Sequence, residues 1–450
     1  MEIFTHRARA KLSPHYTKPD ADTAMTPLQL MLTEARARTL ALVADLSGSQ
    51  LIGPRLAIVN PPLWEIGHLA WFQERWCLRR RSGGGIAPSI MAAADSLYDS
   101  SAVAHDTRWD LPLPTFDATL EYMHAVLERV LEHLHREADD EASVYFAQLA
   151  AFHEEMHAEA LTYTRQTLGY PAPSGPSHAS DATREPPLHG DAEITGGEFM
   201  LGAVAGEGFV FDNEKWAHPV HVAPFEMARA AVSNAEFAAF VADAGYARRE
   251  FWCADGWAWR THAAAEHPVY WQRAGGGDWL ERTFDALRPL VGVLPVMHVN
   301  WYEARAYCRW AGRRLPTEAE WEFAAASDPA DPERKRRYPW GDAAPSVQRA
   351  NLFGAAGGRL GTAALAAGDS AWGCRQMTGN VWEWTDDAFG PYPGFTVDPY
   401  KEYSEPWFGN HKVLRGGCHA TRASLIRNTW RNFYTPERRD VYAGFRTCAA

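Results

Sequence analysis

The segment Ala151–Leu161, AFHEEMHAEAL, sets His153 and His157 four residues apart among Ala, Glu, Met and Leu. On a helix, positions four apart share a face, so both imidazoles can chelate one metal ion. The same letters satisfy HExxH, in which Glu154 would be the general base of a zinc hydrolase. A third imidazole is available in PPLWEIGHLAWFQERW, where His68 lies on a second amphipathic segment beside Trp64, Leu69 and Phe72. Three neutral imidazoles on one face of an octahedral ion leave three positions open and the full charge uncancelled. That suits several ligands bound together, anionic donors and oxygen among them; tetrahedral zinc would leave one position. The competing reading of each histidine is a hydrogen-bonded core residue. His105, His124, His133 and His135 have weaker claims, the last two because EHLHRE is largely charged.

Positioning these residues requires helices. From Thr26 to Tyr170, four segments repeat apolar residues at three and four, which predicts a four-helix bundle, a scaffold that builds metal sites between facing helices. Residues 1–25 read as an N-terminal extension, 26–170 as the bundle, and 171–190, dense in Pro, Ser and Gly, as a linker. Residues 191–450 change texture: short β-type runs alternate with short helices and many Gly, Trp and Asn turns, a mixed α+β domain. Thr317 followed by Glu320 forms a capping box at the start of one of its helices.

Composition narrows the classes. The chain has 450 residues, 46% hydrophobic and 22% charged, which is globular rather than disordered. A net charge of -12 without a long basic run argues against a nucleic-acid partner. No run of about 18 apolar residues would span a bilayer, and the first twenty residues lack the apolar core of a signal peptide. Six scattered cysteines (Cys77, Cys253, Cys308, Cys374, Cys418, Cys448) form no CxxC pair, which fits a reducing compartment. A cytoplasmic protein with no membrane contact is expected. The 19 tryptophans point to an aromatic-rich core or site.

Five ordered motifs carry a resemblance. GGEFMLG (196–202), VNWYEARAYCRWAGRRLPTEAEWEFAA (299–325), MTGNVWEWTDD (377–387), VLRGG (413–417) and AGFRTC (443–448) resemble the formylglycine-generating-enzyme domain, of C-type-lectin-like α+β fold. That enzyme uses a cysteine pair after its RGGS motif; here RGGCHATRASLIRN has Thr421 and Ile426 where the pair would lie, and Cys418 at the serine. Cysteine-dependent formylglycine chemistry is therefore not expected. A DinB-like bundle with a His…HxxxH triad fused to such a domain resembles the ergothioneine synthase (sulfoxide synthase) family. The resemblance implies a mononuclear non-haem iron(II) enzyme that uses O2 to join sulfur to C2 of hercynine, with His68, His153 and His157 as the iron ligands.

The departures bear on the second substrate. Met156 stands where many ergothioneine synthases carry Gln, and RNFYTPERR keeps Asn432 and Arg438 but places Phe433 for Trp and Tyr434 for Asp. Arg108, in AHDTRWDLP, falls near a further family arginine that contacts the thiol's carboxylate. Loss of the aspartate removes an anion that would pair with an α-ammonium, a contact of roughly 1.5–3 kcal/mol. A hydroxylated aromatic ring suits a sugar instead. The closest branch by this resemblance is selenoneine synthase, which joins hercynine to a selenosugar; a thiol-using relative, accepting cysteine or γ-glutamylcysteine, is the alternative. A non-catalytic binding module built on the formylglycine-type domain is the rival from another class. Asn432 and Phe433 are expected to contact hercynine, and Arg438, Tyr434 and Arg108 the donor. Tyr392, or else Tyr434, is expected to donate to the oxygen species. Related domains hold structural calcium near GNVWEW, whose Asn380, Trp382 and Glu383 read as core and turn residues.

Overall fold

The computed structural model describes residues 25–81, 84–137, 139–174, 186–206, 208–331 and 334–450. The expected N-terminal extension, save its last residue, and the middle of the expected linker lie outside the described residues.

The four long helices of the bundle are α1 (Pro27–Val43), α3 (Pro62–Cys77), α5 (Phe116–Arg136) and α6 (Glu141–Leu168), with short α2 (Gly48–Ile52) and α4 (Ala94–Tyr98) between them. Local signals set their ends. Thr26 and Gln29 form a capping box with Pro27 in the first turn of α1; Asp140 caps α6, and Gly169 stops it in the left-handed conformation. At 28 residues α6 is the longest element, and it packs against both α1 and α3.

The second domain begins at β1. Its strands are β1 (Asp191–Ile194), β2 (Gly197–Leu201), β3 (His218–Val222), β4 (Phe225–Ala228), β5 (Trp271–Arg273), β6 (Trp279–Thr283), β7 (Ala286–Pro289), β8 (Arg313–Arg314), β9 (Trp382–Ala388), β10 (Lys412–Arg415), β11 (Asn432–Tyr434), β12 (Ala443–Gly444) and β13 (Cys448–Ala449). Helices α7 (Asn234–Ala242), α8 (Ala254–His262), α9 (Trp301–Trp310) and α10 (Glu318–Ala326) lie among them. The strands form short sheets ordered β1-β4-β13-β8, β11-β10-β9-β12, β2-β3 and β5-β6-β7.

Four of the five sequence motifs meet in the core of this domain through buried ion pairs, and the fifth joins them where the Gly202 N–H donates to Glu322 at 2.9 Å. Arg415 of VLRGG bonds Glu318, at 2.9 Å, and Glu322 of α10, and Arg431 bonds Glu318 at 2.7 Å. Arg446 of AGFRTC grips both oxygens of Glu383 at 2.6 and 2.7 Å, and Trp321 donates to the same carboxylate. Buried charges survive only when paired and hydrogen-bonded in this way. Gly416 has φ 94°, and a Cβ there would strike the Met377 carbonyl, so the RGG turn requires glycine.

One stripe of α6 fastens the bundle to this domain. Glu155 accepts from Arg422 at 3.1 Å, Glu159 from the Trp382 indole at 2.7 Å and from Thr421, and Gln166 donates to the Arg282 carbonyl at 3.0 Å. The helix that carries two of the three candidate ligands is thereby fixed between the domains.

Candidate metal centre

His68 of α3 and His153 and His157 of α6 converge: their candidate ligand atoms lie within 4.8 Å of one another. Ring centroids are 5.2 Å apart for His68–His153, 5.3 Å for His68–His157 and 4.5 Å for His153–His157. Among the described residues this is the one grouping of His, Cys, Asp or Glu able to hold a metal ion.

Hydrogen bonds set the tautomers. His68 Nδ1 lies 2.8 Å from the Tyr98 carbonyl, and His157 Nδ1 lies 2.8 Å from Glu65 Oε1. Both partners only accept, so each Nδ1 carries the proton and each Nε2 keeps a lone pair for the centre. His153 is oriented by stacking, with Phe72 at 3.6 Å and nearly parallel, and its buried Nδ1 has no hydrogen-bond partner. Trp64 stacks on His68 at 5.0 Å and anchors its indole to the Leu97 carbonyl at 2.6 Å. Gly67 makes this packing possible, since a Cβ there would overlap the Tyr98 ring.

Burial, followed by the neighbouring His157, pushes His68 down to about 3, and burial drives His153 well below the usual imidazole range. Both are therefore neutral at physiological pH, the form that binds metal. The donor set fits a divalent ion: three imidazoles, two of them oriented by acceptors behind the ring, and no carboxylate among them.

Glu154 turns away. Both of its oxygens are bonded by Arg36 of α1, at 2.8 and 3.2 Å, and Arg36 also reaches Gln73. One residue is about 100° of helix, so a neighbour of His153 faces a different side. The zinc-hydrolase reading loses its general base, although the letters HEEMH match the motif.

The remaining candidates divide. Arg108 lies over Trp64 with its guanidinium carbon 3.8 Å from the ring centroid, adjoining the triad. It donates to Asn60 Oδ1 at 2.6 Å and the Val103 carbonyl at 3.3 Å, and its buried Nε has no partner. Burial lowers it to about 10, against the nearby Glu65. Met156 receives the Tyr403 hydroxyl on its sulfur at 3.7 Å. Tyr434 and Asn432 share one face of β11, and burial pushes Tyr434 up to about 12. Arg438 lies over the Tyr434 ring at 5.0 Å, but Asp440 grips its guanidinium at 2.6 and 2.7 Å. The arginine expected to meet the donor is thus already paired with a carboxylate.

Three expectations need correction. Tyr392 makes no contact with the triad: its hydroxyl donates to Glu318 at 3.2 Å beneath Arg431, inside the ion-paired core. Phe433 points to the opposite face of β11 from Asn432 and Tyr434, stacking on Phe389 at 4.0 Å and backing Tyr403 at 5.9 Å, so it is a packing residue. The region around GNVWEW does not fit calcium. Arg446 and Trp321 use both oxygens of Glu383, and Asn380 is spent on Leu360, Gln376 and Asn351.

Sequence reasoning missed Tyr400. Its ring meets Phe72 edge-on at 4.9 Å and His153 at 6.0 Å, and burial raises its phenol. It belongs to an irregular loop with no periodicity to expose it; the pair Tyr400 and Tyr403 flanking Lys401 and Glu402 was the one available signal.

The chain is similar to known proteins in both of its domains. Residues 177–450 match the sulfatase-modifying factor enzyme 1-like domain, and residues 31–163 match the DinB superfamily. The chain is 38% identical to a hercynine oxygenase of Mycolicibacterium thermoresistibile, across 93% of this chain and 94% of that protein. It is 37% identical to a hercynine oxygenase of Mycobacterium tuberculosis, across 94% and 99%. The chain belongs to the hercynine oxygenase family. A formylglycine-generating enzyme of Streptomyces coelicolor is 36% identical over 62% of this chain and 95% of its own length. Membership in the hercynine oxygenase family makes the chain an enzyme, which removes the binding-module rival. Among the described residues, no helix is long and apolar enough to cross a membrane.

Proposed function

We propose that this chain is an O2-dependent non-haem iron(II) enzyme that forms a carbon–chalcogen bond at imidazole C2 of hercynine, with a neutral selenosugar as the chalcogen donor. The observation that carries the iron reading is the triad itself: three imidazoles from two helices, with acceptors behind two of them and no carboxylate ligand. Iron(II) held by His68, His153 and His157 supplies the site for O2 reduction while both substrates are bound.

In the overall reaction the C2–H and chalcogen–H protons are lost and the C–Se bond forms. O2 accepts four electrons, one oxygen ending on the chalcogen and the other as water. The chain's own residues orient, desolvate and move protons. Arg108, a buried cation bonded only to neutral acceptors, offers an anion subsite beside the triad for the hercynine carboxylate. Tyr400 is the phenol that adjoins the triad and takes the role of proton donor.

The donor reading rests on Arg438. With Asp440 on its guanidinium and Tyr434 where an aspartate would be needed, this wall offers a bound amino acid neither a spare cation nor an anion. A hydroxylated neutral donor finds there a phenol, an amide and an aromatic face. The thiol alternative draws its support from Arg108, which could bind a donor carboxylate instead.

The test is an aerobic assay with iron(II) and hercynine, offering a selenosugar, its sulfur analogue, cysteine and γ-glutamylcysteine in competition, read by mass spectrometry. The selenosugar adduct should dominate. A dominant γ-glutamylcysteine adduct would transfer the chain to the thiol-using reading.

A further inference from the structure

Residues 398–404 carry Tyr400 and Tyr403 to the metal centre, and both ends of this loop meet on one carboxylate. Asp212 Oδ2 accepts the Asp398 backbone N–H at 3.4 Å, and Oδ1 accepts the Ser404 hydroxyl at 2.5 Å. Asp212 is 1% exposed. Its neighbours reinforce the hold. Asn213 donates to Ser404 Oγ at 3.0 Å, and Lys215 bonds both Asp398 oxygens at 2.8 and 2.7 Å. Phe211 stacks beneath Tyr403 at 4.3 Å. From the bundle, Tyr145 of α6, about two turns before His153, donates to Asp398 at 3.1 Å.

We propose that Asp212 is a positioning residue, a latch that holds Tyr400 against the triad. The loop has no regular secondary structure of its own before the 3-10 turn at Glu405–Trp407, so side-chain bonds must set its path. A carboxylate is what the geometry needs, because its two oxygens accept from two separate donors. An amide offers one acceptor and turns a donor toward the Asp398 N–H or the Ser404 hydroxyl. The proposal rests on the reading of the triad as the reaction centre, and the test separates the two.

Lys401 is exposed at the middle of the loop and is its only trypsin site. In the full chain, Asp212→Asn should speed cleavage after Lys401 at least about tenfold, the change that follows from losing roughly 1.4 kcal/mol of charge-assisted hydrogen bonding. Ser404→Ala, a smaller perturbation, should act in the same direction. Both variants should keep full iron(II) binding and the hercynine KM while kcat falls, about tenfold in Asp212→Asn and by less in Ser404→Ala. Cleavage at Lys401 that is unchanged, or that rises only in step with cleavage elsewhere, overturns the latch. Faster cleavage with an unaltered kcat overturns its positioning role. If the unmodified chain shows no turnover with hercynine, the functional reading fails while the cleavage result still decides the latch.

Discussion

Removing the Glu65 carboxylate tests whether the residues behind the imidazoles matter as much as the imidazoles. Glu65 is 1% exposed on α3, three residues before His68, and its Oε1 receives His157 Nδ1–H at 2.8 Å. It fixes the tautomer that points Nε2 at the centre and raises the basicity of that nitrogen. A buried charge-assisted hydrogen bond is worth about 1.5–3 kcal/mol, and loss of such a partner costs a metal site about 10- to 100-fold in affinity. Glu65→Ala should therefore weaken iron(II) binding about 10- to 100-fold. Glu65→Gln, which keeps an acceptor but not the charge, should lose only severalfold. The assay is anaerobic titration with iron(II), followed by calorimetry. Equal affinity in all three chains would refute the claim that Glu65 orients a ligand. A loss in Glu65→Gln as large as in Glu65→Ala would mean that charge, not orientation, is what Glu65 supplies.

Other outcomes follow from the same geometry. Tyr434→Asp restores an anion beside the Arg438–Asp440 pair and should raise the preference for γ-glutamylcysteine by about one to two decades in kcat/KM; an unchanged donor ratio in the competition assay would count against the pocket assignment. Gly67→Ala should destabilise the fold by about 1–3 kcal/mol despite alanine's better helix propensity, because the added Cβ meets the Tyr98 ring, and urea unfolding measures it. His419 is pushed down to about 4 by burial, against its bond with the Asn380 carbonyl. Its depressed value means that the unfolded chain takes up a proton the folded one refuses, so the contribution is complete above about 6.5 and is lost as pH falls toward 4. Roughly 3 kcal/mol is at stake. His419→Phe should flatten the stability profile between those limits, and an unaltered slope would remove His419 from the account.

The triad was legible because helix periodicity is a local property: four residues return His157 to the side of His153, and the apolar stripe around His68 gave it an inner face. The two-domain order was legible for the same reason, since bundle periodicity and the five motifs are both written in short stretches. What could not be read was tertiary. Glu154 carries the right letter for a hydrolase, but its partner, Arg36, lies on another helix and nothing near position 154 announces it. Glu383 reads as a core residue in the sequence, but its partner Arg446 is distant along the chain and no short stretch announces the pair. Tyr392 and Tyr400 sit in one irregular loop, where no period relates sequence position to direction, and only the anchors at Asp398 and Ser404 decide which phenol meets the histidines. Phe433 illustrates the converse. Strand alternation places it opposite Asn432, a consequence that depends on β11 being a strand at all.

The most direct measurement is the stoichiometry of anaerobic iron(II) binding in the unmodified chain and in His68→Ala, His153→Ala and His157→Ala. One ion per chain, lost in each of the three variants while the folded structure persists, is the result expected of a single ferrous centre shared by two helices. One tightly bound ion retained in any of them would contradict it.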